Sequence, residues 1–573
     1  MLVENINSKN PNQKVIVIGL DAATFDIINP LKEKGLLPNI SKLIEDGVSG
    51  RLLSTLPYTS APAWNSFATG KNPGKHGIYG FSEYKTNSYE IQIVNSRKRK
   101  TKAIWNILSD SGKKVIIMNM PTTYPPENIY GCMVAGLLTP GTESEFTFPE
   151  ELKKTLLKKF NNYTIEYPYL ISVDSSNVEE ILRDLSDIEV KRTEIAQYLM
   201  NSHKWDLTLV VLVALDRIQH YLWHHMEPCH PKYKKETAEL FGNAIPYMYQ
   251  RMDECIGRLI QALDDKTTVI LLSDHGAGPI DNFFPYLNLN NWLLDHGLLH
   301  MQDKSSSFKL IESKRNIIRF AKKYTPLWLR NRFKILFPEV RNKLVTLNFH
   351  ALIDWSQTKA YVREEDYISP GIRINVKNRE PEGVVSPGEE YESLRNIIIQ
   401  KLAQLTHPLT GKKAFNKVYK REDVYKGDYV EDAPDLVVEW SEDALFSKIK
   451  QYDSSNMEKM EKIFKPAKEK SGEHRRAGIF IAYGPNIKKG KIVTDAEIID
   501  IAPTILYIMG LPVAREMDGR VLTEIFGSSY LKDNPINFSA FSDYVKDSNT
   551  KQIYKKEDIE KIKKRLRNLG YLD

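Results

Sequence analysis

The sequence contains aspartate and histidine residues at spacings that suit the binding of divalent cations. In the stretch LDRIQHYLWHH, Asp216 and His220 lie four residues apart, so a helix that begins just after Asp216 would present both side chains on one face. His474, in SGEHRRAGIFIAYGP, lies in a predicted loop before an apolar strand and can serve as a third ligand. These side chains predict one cation site with nitrogen and oxygen ligands.

A second group of acidic residues predicts another cation site. Asp21 ends the stretch KVIVIGLD, and Asp274 and His275 follow the run TTVILLS. With a hydroxyl group as a further ligand, these residues can hold a second ion. Mixed histidine and aspartate ligation favours zinc, manganese or iron over calcium. Two such cations close together would lower the pKa of a hydroxyl group between them and stabilise charge on a phosphoryl group.

The stretch PYTSAPAWNSFATGKNPGKHG, residues 57–77, supplies candidate nucleophiles. It carries four hydroxyl side chains, Thr59, Ser60, Ser66 and Thr69. A free hydroxyl is a poor nucleophile near neutral pH, so any attack requires activation from elsewhere in the chain. The cation sites can supply that activation, but they leave the choice among the four hydroxyls open. The end of the stretch lacks the spacing of a nucleotide-binding P-loop and instead indicates a Pro-Gly turn.

Short apolar runs that predict buried strands precede three of the candidate ligands. The runs KVIVIGL, LTLVVLVAL and TTVILLS lead into Asp21, Asp216 and Asp274. Helical patterns such as LPNISKLIEDG and YMYQRMDECIGRLIQALDD lie between these runs. This alternation predicts an α/β fold with a largely parallel sheet and helices on both faces. Because ligands bind at the carboxyl ends of the strands in such sheets, we expect the three aspartates to share one edge.

The chain divides into four predicted segments. Residues 1–285 and 351–530 form the two parts of the α/β catalytic core, 286–350 a basic helical insertion, and 531–573 a helical tail. The insertion interleaves basic with apolar residues, which predicts either a solvent-exposed helix pair or a lid or surface for membranes or acidic substrates. Peripheral membrane contact through this cap is therefore one expectation. The oligomeric state is not indicated by any pattern in the sequence.

The composition argues against several classes of protein. The 573 residues are 42% hydrophobic and 27% charged, as in soluble globular proteins. A polar N-terminus without a signal peptide, and apolar runs too short to span a bilayer, lead us to expect a cytoplasmic location. The three cysteines follow neither a disulfide nor a zinc pattern. The net charge of +7 comes without a nucleic-acid-binding motif, so no nucleic-acid partner is expected.

The order and context of these motifs resemble the alkaline phosphatase superfamily, and within it the type I phosphodiesterase/nucleotide pyrophosphatase branch. The similar stretches include VIGLDAATFD, APAWNSFATGKNPGKHGIYGF, LDRIQHYLW, LLSDHGAG and GEHRRAGIFIAYGP. The resemblance implies an alkaline-phosphatase-like fold, in which helices enclose a mixed, mostly parallel sheet, with the insertion as a helical cap. It also implies a metal-dependent phosphoric ester hydrolase with two divalent ions, which we expect to be zinc, with manganese or iron as alternatives.

The resemblance further implies a role for each candidate residue. One metal would be held by Asp21, Ser60, Asp274 and His275, and the other by Asp216, His220 and His474. Among the four hydroxyls the resemblance selects Ser60, which precedes Pro62 by two residues and Thr69 by nine, as the nucleophile does in related phosphodiesterases. The implied reaction forms a covalent phosphoryl-Ser60 intermediate.

Two positions near Ser60 depart from the patterns of related enzymes. Phosphodiesterases often carry Asn three residues after the nucleophile, where this chain has Ala63. Asn65 is therefore one candidate substrate-binding residue, although it would need a different loop geometry for that role. Lys71, in the turn that follows, is the other candidate. Sulfatases carry Arg four residues after the nucleophile, where this chain has Trp64.

The expected substrate is a small or lipid-like phosphoester. Because no Arg flanks Ser60 to bind the second charge of a monoester, a phosphodiester or a phosphonate monoester is favoured. A sulfatase or a phospho-headgroup transferase on the same fold is the first alternative. The second is a non-catalytic member that binds an anion or a membrane, although the complete ligand set argues against it.

Overall fold

The structure is a computed structural model that describes residues 13–85, 87–167, 177–280, 286–287, 289–302, 352–362, 370–406, 411–446, 464–465, 470–541, 553–569 and 571. Residues 303–351, which make up most of the predicted insertion, lie outside the described residues. No helix among the described residues is both long and apolar enough to cross a bilayer.

The strands of the described residues are short and are distributed along the whole chain. They are β1 Lys14–Leu20, β2 Val48–Leu53, β3 Ser82–Tyr84, β4 Ile91–Ile93, β5 Val115–Met118, β6 Gly131–Val134, β7 Thr147–Phe148, β8 Leu207–Leu212, β9 Thr267–Leu272, β10 Gly276–Pro279, β11 Tyr286–Leu287, β12 Ala360–Val362, β13 Gly371–Ile374, β14 Phe415–Lys420, β15 Leu436–Trp440, β16 Phe464–Lys465, β17 Gly472–Arg475, β18 Ala477–Tyr483, β19 Lys491–Glu497, β20 Val513–Ala514 and β21 Phe538–Ser539.

The helices of the described residues mostly lie between these strands. They are α1 Phe25–Glu33, α2 Pro38–Asp46, α3 Ser60–Thr69, α4 Pro73–His76, α5 Ile104–Asp110, α6 Glu151–Lys159, α7 Val178–Ser202, α8 Ala214–Met226, α9 Lys235–Phe241, α10 Ala244–Gln261, α11 Leu289–Asp295, α12 Glu389–Ala403, α13 Arg421–Val424, α14 Glu442–Leu445, α15 Ile501–Ile508, α16 Ser528–Asp533 and α17 Lys556–Asn568.

The largest sheet of the described residues has nine strands in the order β19-β2-β18-β9-β1-β8-β5-β6-β7. Five of its eight neighbouring pairs are parallel. The other three, β18 with β2, β18 with β9 and β6 with β7, are antiparallel. The mixed, mostly parallel sheet predicted from the sequence is therefore confirmed. Strand β1 lies between β8 and β9, so the three strands predicted to lead into aspartates are neighbours.

Apolar side chains cover both faces of this sheet. Every residue of β8 and β9 is buried, which agrees with sequences that are mostly apolar and do not alternate with charged residues. Successive residues of β1 belong to opposite cores: Ile16 and Ile18 pack with helices α7, α8 and α10, and Val15 and Val17 pack with α3, α5 and α15. The sheet is thus held rigidly between two layers of helices.

Helix α3, which begins at Ser60, is anchored to the sheet by Trp64. The Trp64 side chain is fully buried, and a Cβ atom on Gly19 of β1 would lie only 2.4 Å from its Cη2 atom. Gly19 therefore allows the helix to approach the strand closely. The helix ends at Gly70, whose φ of 64° is the left-handed conformation that favours glycine. The Pro-Gly pair predicted to form a turn just beyond this helix instead begins the one-turn helix α4, Pro73–His76.

A second, separate sheet contains four antiparallel strands in the order β12-β13-β15-β14. It has its own apolar core, to which α11 and α12 contribute. The strands between 360 and 440 therefore do not extend the nine-stranded sheet, although the predicted segment 351–530 groups them with the strands that do. The boundaries at 286, 350 and 530 stay predictions.

Candidate active site

The three aspartates lie at one edge of the nine-stranded sheet. Asp21 directly follows β1, Asp274 follows β9 after one intervening residue, and Asp216 lies in the first turn of α8 after β8. The register aligns Leu20 of β1 with Leu212 of β8, and Gly19 of β1 with Leu272 of β9. The carboxyl ends of the three strands are therefore level with each other, as the strand pattern predicts.

Two local predictions about the ligand elements need correction. Helix α8 begins at Ala214, two residues before Asp216 rather than just after it. Asp216 and His220 still share one face, because both lie within the helix four residues apart. His474 lies in strand β17 rather than in a loop, since β17 pairs with β10 in an antiparallel ribbon that follows β9. This ribbon returns His474 to the edge that carries Asp274.

Asp216, His220 and His474 form one compact cluster, which we call the Asp216 site. The Asp216 Oδ1 atom lies 3.1 Å from His474 Nε2 and 3.3 Å from His220 Nε2, and the two nitrogens are 3.2 Å apart. Ligands of one tetrahedral zinc ion, at bond lengths of about 2.0–2.2 Å, lie about 3.3–3.6 Å from each other. The three atoms are therefore spaced nearly as a shared ion requires.

Asp21, Ser60, Asp274 and His275 form the second cluster, which we call the Asp21 site. His275 Nε2 lies 3.5 Å from Asp21 Oδ1 and 3.4 Å from Asp274 Oδ2. Ser60 Oγ lies 3.5 Å from Asp21 Oδ2 and 3.4 Å from His275 Nε2. All four side chains are at most 1% exposed. This cluster also gathers potential ligand atoms around one point.

The two sites adjoin each other. Potential ligand atoms of Asp216, His275 and His474 all lie within 4.8 Å of one another, although the first and last belong to the Asp216 site and His275 to the Asp21 site. The imidazole rings of His275 and His474 are stacked with their centroids 3.7 Å apart. A group held between the sites can therefore contact both.

Each of the three histidines is oriented by a backbone carbonyl. The Nδ1 atoms lie 3.1 Å from Gly472 O for His220, 3.1 Å from Gly276 O for His275, and 3.3 Å from Tyr58 O for His474. Hydrogen bonding of Nδ1–H to these carbonyls leaves Nε2 unprotonated and directed at the cluster. This arrangement is typical of histidine ligands in metal sites.

The charges of the Asp21 site are not balanced by the protein alone. Asp21 Oδ1 and both carboxylate oxygens of Asp274 are buried and have no hydrogen-bond partner. Burial, followed by the charges of Asp274 and Asp216, raises the pKa of Asp21 well above its usual range. Burial and the charge of Asp216 raise the pKa of Asp274 to about 8. Buried carboxylates of this kind require either protons or a cation, so the donor set fits a divalent ion.

The Asp216 site differs because cationic and hydrogen-bonding groups surround its carboxylate. Burial alone would raise the pKa of Asp216, but His220, His474 and Arg217 more than offset this and hold the pKa well below its usual range. Burial, together with the neighbouring His275, lowers the pKa of His474 to about 3. The carboxylate and the neutral imidazole are therefore already in the forms that bind a metal.

The structure separates Ser60 from two of the other hydroxyls of its stretch. Ser66 Oγ lies 3.0 Å from His76 Nε2, and Thr69 Oγ1 donates to Asn65 O at 2.7 Å, so both are engaged in local contacts. Ser60 is the first residue of α3, where the helix dipole favours negative charge. Its hydroxyl lies beside the candidate ligands.

The candidate substrate-binding residues Asn65 and Lys71 are both buried. The Asn65 side chain donates to Ala61 O at 2.7 Å and to Thr122 Oγ1 at 2.8 Å, which ties α3 to the loop after β5. The positive charge of Lys71 contributes to the low pKa of His76, after burial and Arg99. These contacts give both residues a part in the local structure, and their role in substrate binding stays a prediction.

Sequence reasoning missed several residues that contact the two sites. Glu473 lies with its Oε1 atom 3.5 Å from His220 Nδ1, and its position next to His474 in the chain was the available signal. Arg217, which follows Asp216, donates to the Asp216 carboxylate and pairs with the buried Glu166. Tyr571 contacts Ser60 and Asp216, and no local pattern pointed to it.

The chain as a whole can be compared with known families. Residues 15–334 match the sequence model of the type I phosphodiesterase/nucleotide pyrophosphatase family, which is more than half of the chain. The chain belongs to this family. The enzyme class predicted from the motifs, a phosphodiesterase-like hydrolase of phosphoric esters, is therefore confirmed. No curated protein is significantly similar in sequence to this phosphodiesterase family member.

Similar folds occur among solved structures. Human ectonucleotide pyrophosphatase/phosphodiesterase 5 shares 14% identity, with 91% of this chain and 99% of that chain covered and a TM-score of 0.47. Phosphonoacetate hydrolase from Sinorhizobium meliloti, in complex with phosphonoformate, shares 12% identity, with 87% of this chain and 95% of that chain covered and a TM-score of 0.47.

Proposed function

We propose that this protein is a two-metal phosphodiesterase that uses Ser60 as its nucleophile. The observation that carries the proposal is the position of Ser60 Oγ, at the N-terminus of α3 and within 3.5 Å of Asp21 and His275. Family membership supports hydrolysis of a phosphoric ester. The proximity of the Asp216 site supports a reaction in which both clusters act on one phosphoryl group.

We assign one divalent cation to each cluster, with zinc as the first choice and manganese or iron as alternatives. The Asp216 site offers two imidazole nitrogens and one carboxylate, and the Asp21 site offers two carboxylates, one imidazole and the Ser60 hydroxyl. When bound there, the cations would lower the pKa of hydroxyl groups and draw charge from the phosphoryl oxygens.

The proposed reaction has two steps, and each step forms one bond to phosphorus and breaks another. Ser60 loses its hydroxyl proton to solvent, and its oxygen attacks phosphorus as the bond to the leaving alcohol breaks. The leaving oxygen takes a proton from water. Water then attacks phosphorus, the bond from Ser60 Oγ to phosphorus breaks, and Ser60 regains a proton. In sum, one diester and one water give one monoester and one alcohol.

The charges around Ser60 favour a phosphodiester over a monoester. A monoester carries a second negative charge, which a guanidinium with free N–H groups can bind through two charge-assisted hydrogen bonds. Arg217 lies beside the Asp216 site, and Glu166 and Asp216 already pair with it. Its charge is therefore largely neutralised. A diester or a phosphonate monoester, with a single negative charge, suits this arrangement.

The position of Trp64 argues against the sulfatase alternative. It occupies the place where a sulfatase would carry Arg, yet its side chain is fully buried against Gly19 in the core beneath the sheet. A side chain at this position in α3 therefore serves packing. A headgroup transferase shares the first half of the proposed reaction and differs in using an alcohol in place of water. A small or lipid-like substrate remains our proposal, as does peripheral membrane contact through the insertion.

The test compares zinc-loaded wild type, Ser60→Ala and Ser66→Ala on bis(4-nitrophenyl) phosphate, 4-nitrophenyl phosphate and 4-nitrophenyl sulfate. We expect the diester to be the best substrate and Ser60→Ala to lower kcat by about 10³-fold or more. Ser66→Ala is the matched control. It removes a hydroxyl from the same helix, but this hydroxyl contacts His76 and not the candidate ligands.

Three results would contradict parts of the proposal. Undiminished diester turnover by Ser60→Ala would exclude Ser60 as the nucleophile. Two bound metal ions without turnover of any ester would favour an anion-binding protein. With the diester substrate and an added alcohol, formation of alkyl 4-nitrophenyl phosphate in place of 4-nitrophenyl phosphate would favour the transferase.

A further inference from the structure

Tyr571 reaches the proposed nucleophile from a distant part of the chain. Its hydroxyl lies 3.3 Å from Ser60 Oγ, donates to Asp216 Oδ2 at 3.0 Å, and accepts from Arg217 Nη1 at 3.0 Å. The side chain is 6% exposed. A single hydroxyl therefore contacts the candidate nucleophile, a candidate metal ligand and a buried cation at the same time.

Packing holds the Tyr571 ring in place independently of its hydroxyl. The ring lies 4.6 Å from that of Phe81, centroid to centroid, and the Arg217 guanidinium lies 5.5 Å from its centroid. The Tyr571 backbone N–H donates to Leu566 O at the end of α17. Substitution by Phe would thus keep the ring and remove only the hydroxyl.

Helix α17 is docked firmly enough to position this residue. Ile562 and Leu566 are fully buried in the core that also contains α7, α8 and α10. Arg565 donates to Thr139 O at 2.6 Å and to Pro140 O at 2.9 Å. Tyr221 of α8, the helix that carries Asp216 and His220, donates to Asn568 O at 3.1 Å. The helix therefore contacts an element of the site directly.

The two oxygens of the Asp216 carboxylate face different partners. Oδ1 faces His220 and His474, whereas Oδ2 faces Arg217 and Tyr571. Tyr571 therefore bonds to the oxygen that is turned away from the other candidate ligands. This contact is compatible with a cation at the Asp216 site.

We propose that Tyr571 is a catalytic residue, whose hydroxyl donates to Ser60 Oγ when that oxygen loses its proton. Its single proton has two acceptors within reach, Asp216 Oδ2 and Ser60 Oγ. While Ser60 keeps its own proton, the carboxylate is the stronger acceptor. Once Ser60 is deprotonated, its oxygen competes for the same proton, and Arg217 continues to donate to Tyr571. The inference rests on the proposed role of Ser60 as nucleophile.

The test compares Tyr571→Phe with Tyr554→Phe in the full-length, zinc-loaded protein. Tyr554 is the matched control: it lies in the same segment, is similarly buried, and donates to Val94 O and Leu138 O outside the two sites. With bis(4-nitrophenyl) phosphate, we expect Tyr571→Phe to lower kcat about 10- to 100-fold with little change in KM. Tyr554→Phe should stay within about twofold of wild type, and both variants should fold, as judged by thermal midpoint.

A second measurement does not depend on turnover. Because Tyr571 donates to Asp216, Tyr571→Phe should raise the dissociation constant for zinc by about tenfold in competition with a chelator. Tyr554→Phe should leave it unchanged. If Ser60→Ala shows that Ser60 is not the nucleophile, the proposed function fails, and the zinc affinity still reports the contact between Tyr571 and Asp216.

Four results would overturn the inference. Wild-type kcat in Tyr571→Phe would show that the hydroxyl takes no part in the reaction, and a changed zinc affinity with wild-type kcat would leave Tyr571 a positioning residue for Asp216. Faster turnover would show that Tyr571 obstructs the site. Equal losses in both variants would assign the effect to packing of the segment.

Discussion

Zinc binding should release protons from the Asp21 site, because this site holds protons when no cation is bound. Burial and the charge of Asp216 raise the pKa of Asp274 from 3.8 to about 8. At pH 7 this carboxyl is about 90% protonated, and at pH 9 about 10%. A metal ion binds the carboxylate form, so its binding expels the proton. Asp274 alone should thus contribute about 0.9 proton at pH 7.

The other ligands determine the upper limit of this count. The pKa of Asp21 is also raised by burial and by Asp274, so its proton adds to the total. The low pKa values of Asp216 and His474 mean that the Asp216 site has no proton to lose from these groups at pH 7. We therefore expect about one to two protons released from the Asp21 and Asp274 carboxyl groups when both sites fill at pH 7, and fewer at pH 9.

Calorimetric zinc titrations in buffers of different ionisation enthalpy measure this number directly. Asp274→Asn should reduce the count by at least about 0.9 at pH 7. Asp253→Asn is the control, because the pKa of Asp253 is also raised by burial but its carboxylate accepts from Asn39 and Ile40. A release below about 0.3 proton at pH 7, or an unchanged count in Asp274→Asn, would refute the reasoning.

The same protonation sets the sign of the pH dependence of stability in the metal-free protein. A raised pKa means that the folded state keeps a proton that the unfolded state releases. The contribution of Asp274 to the free energy of unfolding therefore falls as the pH rises from about 4 to about 8. With a chelator present, we compare the thermal midpoint of wild type with that of Asp274→Asn at two pH values. The midpoint of wild type minus that of the variant should be larger at pH 6 than at pH 8. Saturating zinc should remove this dependence.

Two further substitutions test the supports of the site. The pKa of Glu473 is held at about 2, despite burial, by Lys470, His220 and His474, so its side chain is a carboxylate that faces His220. Glu473→Gln removes this charge and should weaken zinc binding about tenfold in competition with a chelator. Unchanged zinc affinity would contradict this. In Gly19→Ala, the added Cβ atom would clash with Trp64 and displace helix α3. We expect this variant to be less stable by about 1–3 kcal/mol and to have a lower kcat. A wild-type thermal midpoint would contradict this.

Local sequence patterns were sufficient for the elements that lead directly into the candidate ligands. Asp21 and Asp274 follow short apolar runs, and Asp216 and His220 have helical spacing. Backbone geometry brings these side chains close together, because parallel strands end at one edge of a sheet and residues four apart share one helix face. The triplet Asp295-His296-Gly297 repeats the Asp-His-Gly sequence of residues 274–276 without a preceding apolar strand, and it lies at the end of helix α11, with Gly297 at a φ of 65°.

Other features depended on strand pairing that local patterns do not encode. The sequence predicts a loop at His474, whereas the structure pairs β17 with β10, whose residues lie almost 200 positions earlier in the chain. The second sheet was grouped with the first because its strands have the same apolar composition. Sequence periodicity reports the environment of a strand but not which partner it pairs with.

The sequence by itself determined the types and order of the candidate ligands, the α/β class and, through its resemblance to a family, the choice of Ser60. Only the tertiary structure decided that the Nε2 atoms of three histidines face the cluster, that Trp64 packs beneath the sheet, and that Tyr571 contacts Ser60 across 511 positions of the chain. The physical reason is that strand ends and helical spacing follow from local backbone geometry. Contacts from docked helices depend on side-chain packing over the whole core.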